Sequence, residues 1–478
     1  MKKIIAFISV FILCQIVLAQ GFVVNVQAKG YKSGLSYLTY YSGNNLNIQD
    51  SALFKSNGTV TFSGKNKLLG GIYVLVLPDR RRIDFLVDKE QKINIKTDSS
   101  DLVFKTVITG SKENIIYQQY QKYITTKGRL RDAERKAYTQ AKTKADSVLH
   151  EKNYNTHSDA MNTYREGIIK NQPQSMMATL LLAMKEPPVL MQNPVSKEDT
   201  INNFYYYKKH YWDGISFMDD RIIRTPFFLP KLQRYYSDVE INADSVIRDI
   251  DYKLLLARNS PELYKYLLNW FTDFYINPKY MGQDAVFVHL FNNYHSKGAS
   301  FWLNEKQMEA VSRRAYMLMS NLIGEQAANL EMIDANDKPS PLYNVNADFT
   351  LICFWDPNCG HCKTEIPRVD SIYKANWKAK GVKIYAVLTP ENDNNVKTEW
   401  QKFINDNNLT EWTHVYQTKA MADADNAAQK PSFRQLYDIT STPILYLLDK
   451  DKRIIGKKLT ILQLNELLEA KLKTKTQN

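Results

Sequence analysis

From Phe22 to about Gly110, short runs of alternating apolar and polar residues are separated by turn residues. They include Phe22-Val23-Val24-Asn25-Val26, Thr59-Val60-Thr61-Phe62 and Lys92-Ile93-Asn94-Ile95, with Asn57-Gly58 and Gly70-Gly71 as punctuation. β-Branched and aromatic residues at period two predict strands, and residues 20–110 therefore read as a small antiparallel, sandwich-like β domain. From Ser111 to about Asn321 the period lengthens, glycine becomes scarce, and segments such as Asn114–Gly128 and Leu130–Lys152 predict helices. Residues 111–321 are thus expected to form an α-helical domain broken by prolines at Pro187-Pro188, Pro226 to Pro230 and Pro261. Its two aromatic-rich stretches, Phe204 to Tyr236 and Tyr264 to Trp302, read as packing between helices. Farther on, Phe349 to Trp355 is a continuous apolar run of the kind found in a strand buried on both faces. A third domain, residues 322–478, is expected around it.

The amino terminus differs from all of this. Lys2-Lys3, an apolar run from Ile4 to Leu13 and a small-residue end at Ala19 have the layout of a secretory signal peptide over residues 1–19, cleaved before Gln20. The run is shorter than the ~20 residues a membrane-crossing helix needs. A mean hydropathy of −0.42 also excludes a multi-span membrane protein. Leu13 stands before Cys14 where bacterial lipoprotein signals carry a small residue, which argues against lipidation there. The formal charge is +13, but 50 acidic residues are interspersed with 63 basic ones, so no nucleic-acid partner is expected.

Four cysteines occur: Cys14 in the leader, then Cys353, Cys359 and Cys362. Three in a mature secreted chain of this size make no disulfide scaffold, so they point to chemistry. The apolar run ends at Trp355 and leads through Asp356-Pro357-Asn358 into Cys359-Gly360-His361-Cys362, with Lys363-Thr364-Glu365-Ile366-Pro367 following. A strand, a turn and a helix in that order set Cys359 at a helix N-terminus, where free N–H groups and the helix dipole favour the thiolate. Cys362, one turn on, is close enough to close a disulfide with it or to resolve a mixed disulfide. Zinc is the competing reading, but a structural site needs a second ligand pair, and Cys353 and His414 stand isolated. No cofactor is expected. Among the histidines of the helical region, His157, His210, His289 and His295 show no metal-ligand spacing; Asp219-Asp220 is a lone carboxylate pair and Arg80-Arg81-Arg82 a solvated charge run.

Phe354-Trp355, the Cys-Gly-His-Cys pair and Pro367 resemble the thioredoxin superfamily. More narrowly, Gly324 to Met332, the Cys362-Lys363-x-Glu365-x-Pro367 run and Tyr437 to Pro443 resemble the TlpA/ResA-like thiol-disulfide oxidoreductases of bacterial envelopes. The match covers about residues 322–478 and implies a thioredoxin-like α/β domain; the upstream β and helical parts resemble accessory domains that precede such modules. The resemblance makes Cys359 the nucleophile, Cys362 the resolving thiol and the two together a redox disulfide. It puts Thr442-Pro443 in the family's cis-proline loop and Glu365 where a carboxylate tunes cysteine ionisation or shuttles protons. It also assigns Trp355, Gly360, Thr442 and Pro443 to substrate contact. Pro367 is expected to kink its helix. Cys353 occupies the strand position at which thioredoxins bury an aspartate, and reads as a small buried residue.

His361 pulls in a second direction, because Cys-Gly-His-Cys is also the motif of protein disulfide isomerases, and an imidazole beside the thiolate makes the disulfide more oxidising. The two ends of that scale, about −270 mV for thioredoxin and about −180 mV for the isomerase, differ by about 4 kcal/mol. The leading expectation is an envelope reductase acting on disulfide-bearing proteins, apocytochrome c among them, and reset by a membrane-embedded electron donor. A periplasmic isomerase or mild oxidase is the alternative, and a binding or scaffold protein with a thioredoxin-like docking module is the rival from another class. A peroxidase would carry proline and threonine where Ile352 and Asp356 stand. Oligomeric state is left open by the sequence.

Overall fold

The computed structural model describes residues 21–391 and 396–476. The expected leader, Met1–Ala19 with Cys14, lies outside the described residues. The chain divides into two compact units. The first runs through Glu240 and takes in Lys253–Tyr266; the second comprises Ile241–Tyr252 and everything from Leu267 on.

In the first unit, eight strands form two four-stranded sheets. One is ordered β4 (Thr59–Gly64), β1 (Phe22–Lys29), β7 (Lys92–Asp98), β8 (Val107–Thr109); the other β3 (Asn45–Leu53), β2 (Leu35–Ser42), β5 (Gly71–Val76), β6 (Arg82–Val87). The alternation in β1 buries Phe22, Val24, Val26 and Ala28 and turns the residues between them outward. These side chains share one core with Phe62, Leu75, Phe85 and Ile95 from both sheets, as a sandwich requires. One pairing departs from the antiparallel expectation: β1 and β7 run parallel. They are distant in sequence, and the chain passes through the other sheet between them, so no hairpin constrains their direction.

The outer face of β5 and β6 is covered by helices. Ile72 and Leu86 pack against Tyr117, Tyr120, Ile168, Met176 and Leu180. The first two helices are longer than the sequence pattern suggests, Lys112–Gln140 and Lys144–Asn171. The first continues through Gly128, which no tertiary neighbour crowds; a lone glycine costs only ~1 kcal/mol in a helix that is otherwise well formed. Asp219 and Asp220 serve structure, holding Arg221 and Arg224 respectively, and Arg81 is bound by Asp79 and Tyr31. Among the aromatics between 204 and 236, Trp212, Phe217, Tyr235 and Tyr236 surround the buried ammonium of Lys253.

The second unit also takes in residues before 322. Helices Asp284–Leu290 and Glu305–Met319 belong to the same compact unit as the sheet that follows. That sheet is six-stranded, ordered β14 (Ile454–Lys457), β13 (Ile444–Leu448), β10 (Phe349–Trp355), β11 (Val382–Leu388), β12 (Thr413–Tyr416), β9 (Ile333–Asp334). Every residue of β10 is buried, as its unbroken apolar run predicts. Phe349, Leu351, Cys353 and Trp355 enter the core on one face of the sheet, while Ile352 and Phe354 enter the core on the other. The three-part architecture expected from the sequence is present: β sandwich, helical region, and a C-terminal α/β layer structure. No helix among the described residues is long and apolar enough to cross a membrane.

Candidate active site

β10 ends at Trp355, and the chain turns through Asp356-Pro357-Asn358 into the helix Gly360–Ile372, with Cys359 as the residue that opens it. The turn is fastened by Asp356. One carboxylate oxygen accepts from the Asn358 N–H at 2.8 Å and the other from the Glu391 N–H at 3.1 Å. The helix buries Cys362, Ile366, Val369 and Asp370 along one stripe, which fixes its rotation. Cys362 is therefore turned inward with no exposed surface, while Cys359, on the rim of the first turn, is partly exposed. Pro367 stands within this helix.

β13 pairs antiparallel with β10, Ile444 opposite Phe354, so Pro443 lies at the Trp355 end of the strand and the loop before it meets the cysteine turn. The Thr442–Pro443 peptide bond is cis. The Cys359 thiol donates to the Thr442 carbonyl at 3.3 Å.

The two thiols, both free, have opposite electrostatics. Partial burial raises the Cys359 thiol, but hydrogen bonding from the Thr442 side chain, the Cys362 N–H and thiol, and the His361 N–H outweighs it, so Cys359 ionises below its ordinary range. Cys362 is pushed up to about 12, chiefly by burial and further by the neighbouring Cys359; the Asp356 N–H, at 3.5 Å from its sulfur, only partly offsets this. Cys353 is wholly buried and its thiol lies well above the ordinary value for that reason. One thiol is thus the more readily ionised and its partner the less so.

Beside the pair runs a groove of about 660 Å³. His361, Glu365, Thr442 and Pro443 line it, together with Lys458 and Leu459. Four of the expected residues therefore share one surface, and Cys359 is joined to it through its hydrogen bond to Thr442. Gly360 is exposed in the first helical turn, where no neighbour approaches the position a Cβ would take. Glu365 is ion-paired with Arg368 at 2.6 Å on the groove wall and bonds to neither cysteine. Trp355, expected at the substrate surface, has no exposed surface and packs against Phe403 and His414. Its place at the end of a strand buried on both faces turns it into the core. Asp356 escaped the sequence reading as a member of the site, although the Asp-Pro-Asn turn signal was there to suggest its role.

Residues 323–457 match the AhpC/TSA family. The C-terminal region is a thioredoxin-like domain of that family. Residues 22–117 match a domain of unknown function, DUF4369. No curated protein matches the chain. Among solved structures, a domain of a possible thiol-disulfide isomerase from Cytophaga hutchinsonii is 34% identical; the alignment covers 33% of this chain and 97% of that one, with a TM-score of 0.28. A thiol:disulfide interchange protein from Bacteroides sp. is 26% identical over 32% of this chain and 91% of its own, TM-score 0.27. A thioredoxin-like protein from Bacteroides caccae is 22% identical over 59% of this chain and 97% of its own, TM-score 0.44. The AhpC/TSA-type domain here carries both cysteines, with the cis proline beside them.

Proposed function

We propose that this protein is an envelope thiol-disulfide oxidoreductase that reduces disulfides in other proteins through Cys359 and Cys362. The observation that carries the reading is the division between the two thiols: Cys359 partly exposed, easily ionised and hydrogen-bonded to the cis-proline loop, and Cys362 buried with its thiol pushed up to about 12. The Cys359 thiolate attacks one sulfur of a client disulfide, forming a mixed disulfide and releasing the client's other sulfur as a thiolate that takes up a proton. Cys362 then gives up its proton and attacks the Cys359 sulfur, forming the Cys359–Cys362 disulfide and releasing the client's second thiol. Two electrons pass from the protein to the client. A donor of two electrons, membrane-embedded on this reading, restores the dithiol.

The leader pattern of residues 1–19 supports export to the periplasm. Oxidised envelope thiols, including those of apocytochrome c during cytochrome maturation, are the client class that the TlpA/ResA resemblance suggests. The deciding experiment is equilibration of the full chain with glutathione buffers and quantification of free thiols. A potential near thioredoxin's, about −270 mV, supports the reductase; one near or above about −180 mV makes His361 decisive and transfers the protein to the isomerases or oxidases. Absence of any reversible couple refutes both and leaves the scaffold reading.

A further inference from the structure

A second cavity, of about 360 Å³, opens next to the active-site groove in the same compact unit. Lys458 and Leu459 line both, so the two adjoin along one wall. The rest of the second cavity comes largely from upstream of the sheet: residues 277–282, Asp284 at the start of the helix Asp284–Leu290, and Arg314 and Leu318 on the helix Glu305–Met319.

Its charges do not balance. Four cationic side chains, Lys279, Arg314, Lys457 and Lys458, face two carboxylates, Asp284 and Asp438. Both carboxylates are buried and already engaged. Lys457 pairs with Asp284, while Arg314 at 2.6 Å and Lys458 at 2.5 Å share Asp438. Lys279 is exposed and pairs with no carboxylate among the described residues. Asp438 also lies four residues before Thr442, so the cationic wall is tied to the loop that meets Cys359. A polypeptide whose disulfide sits at Cys359 and whose backbone follows the groove past Pro443 reaches Lys458 and then this surplus of positive charge.

Building on the oxidoreductase reading, we infer that the second cavity is a client subsite that takes an acidic stretch of the polypeptide beside the disulfide being exchanged. The upstream helices then belong to the substrate-recognition surface and do more than carry the redox module.

The test uses the reduced full chain in single turnover, so that no electron donor is needed. Three substrates are compared: a disulfide-cyclised peptide with glutamates flanking the cysteines, the same peptide with lysines, and hydroxyethyl disulfide. At low salt the acidic peptide should oxidise the protein about tenfold faster than the basic one, and the gap should close in 0.5 M salt, where the Debye length is only about 4 Å. Lys279→Glu, and separately Met281→Glu at an exposed cavity residue, should cut the preference about fivefold or more while leaving the rate with hydroxyethyl disulfide unchanged. Equal rates for the two peptides, or variants that slow all three substrates alike, overturn the inference and leave the oxidoreductase reading intact. Failure to exchange with any of the three overturns the oxidoreductase reading, and this inference with it.

Discussion

The asymmetry of the thiols can be measured directly by pulse alkylation of the reduced full chain with iodoacetamide, read out by peptide mass mapping. A thiol at about 12 is ionised to about one part in 10⁵ at pH 7, against about 3% for an ordinary thiol near 8.5. That is a difference of about 3.5 decades before the downward displacement of Cys359 is counted. A more basic thiolate is intrinsically more nucleophilic, with a Brønsted slope of about 0.45, which returns about 1.6 decades. The remainder, roughly a hundredfold, is a floor, because the Cys362 sulfur is also buried and Cys359 is not. Cys359 should therefore label at least about 100-fold faster than Cys362 at pH 7, with a pH midpoint below that of an ordinary thiol. Cys359→Ser should leave Cys362 and Cys353 nearly inert, whereas Cys362→Ser should leave a fast-labelling Cys359, since the N–H groups of the first helical turn remain. Comparable labelling of Cys359 and Cys362 in the native protein, or a Cys359 midpoint no lower than that of an unstructured cysteine peptide, would refute the division of roles.

Three further outcomes follow from buried groups. His295 and His414 are buried and ionise only near pH 4, in each case because burial disfavours the imidazolium. A base whose folded pKa is depressed binds more protons when unfolded. Stability should therefore fall as pH drops from about 6.5 toward 4, by about 2 kcal/mol per histidine between pH 7 and 5; urea melts at the two pH values check this, and a flat profile would contradict it. Trp355→Ala should cost about 3–5 kcal/mol in such melts as a core cavity, while Trp355→Phe should retain disulfide exchange with an unchanged KM, which a substrate-contacting tryptophan would not allow. Asp284→Ala leaves Lys457 buried without its carboxylate and should destabilise by about 3–5 kcal/mol. Adding Lys457→Met should recover most of that loss, and additive losses in the double variant would show that the pair is not coupled.

Much of the site was legible because its determinants are local. The apolar run of β10, the turn residues after it and the Cys-Gly-His-Cys spacing dictate a strand, a turn and a helix opening at Cys359, since strand burial, turn chemistry and helix capping act within a few residues. The alternation of β1 likewise identifies its inward residues without reference to any partner strand. The resemblance added Thr442-Pro443, 83 residues from Cys359, which spacing alone would not have linked to it.

What only the tertiary structure decided depends on which segments become neighbours. Trp355 lies next to the site in sequence, yet the second face of a strand buried on both sides takes it into the core. The burial that keeps Cys362 protonated comes from the helix stripe docking on the sheet, and desolvation is a property of surroundings that no motif encodes. The parallel pairing of β1 with β7 arises because strands separated by an entire second sheet are free to pair in either direction. Most of all, Lys457 and Asp438 find Asp284 and Arg314 more than 120 residues upstream, so the helices before residue 322 share a compact unit with the sheet that carries the cysteine pair. Long-range ion pairs leave no periodic signal in a sequence, because either partner alone reads as an ordinary surface charge.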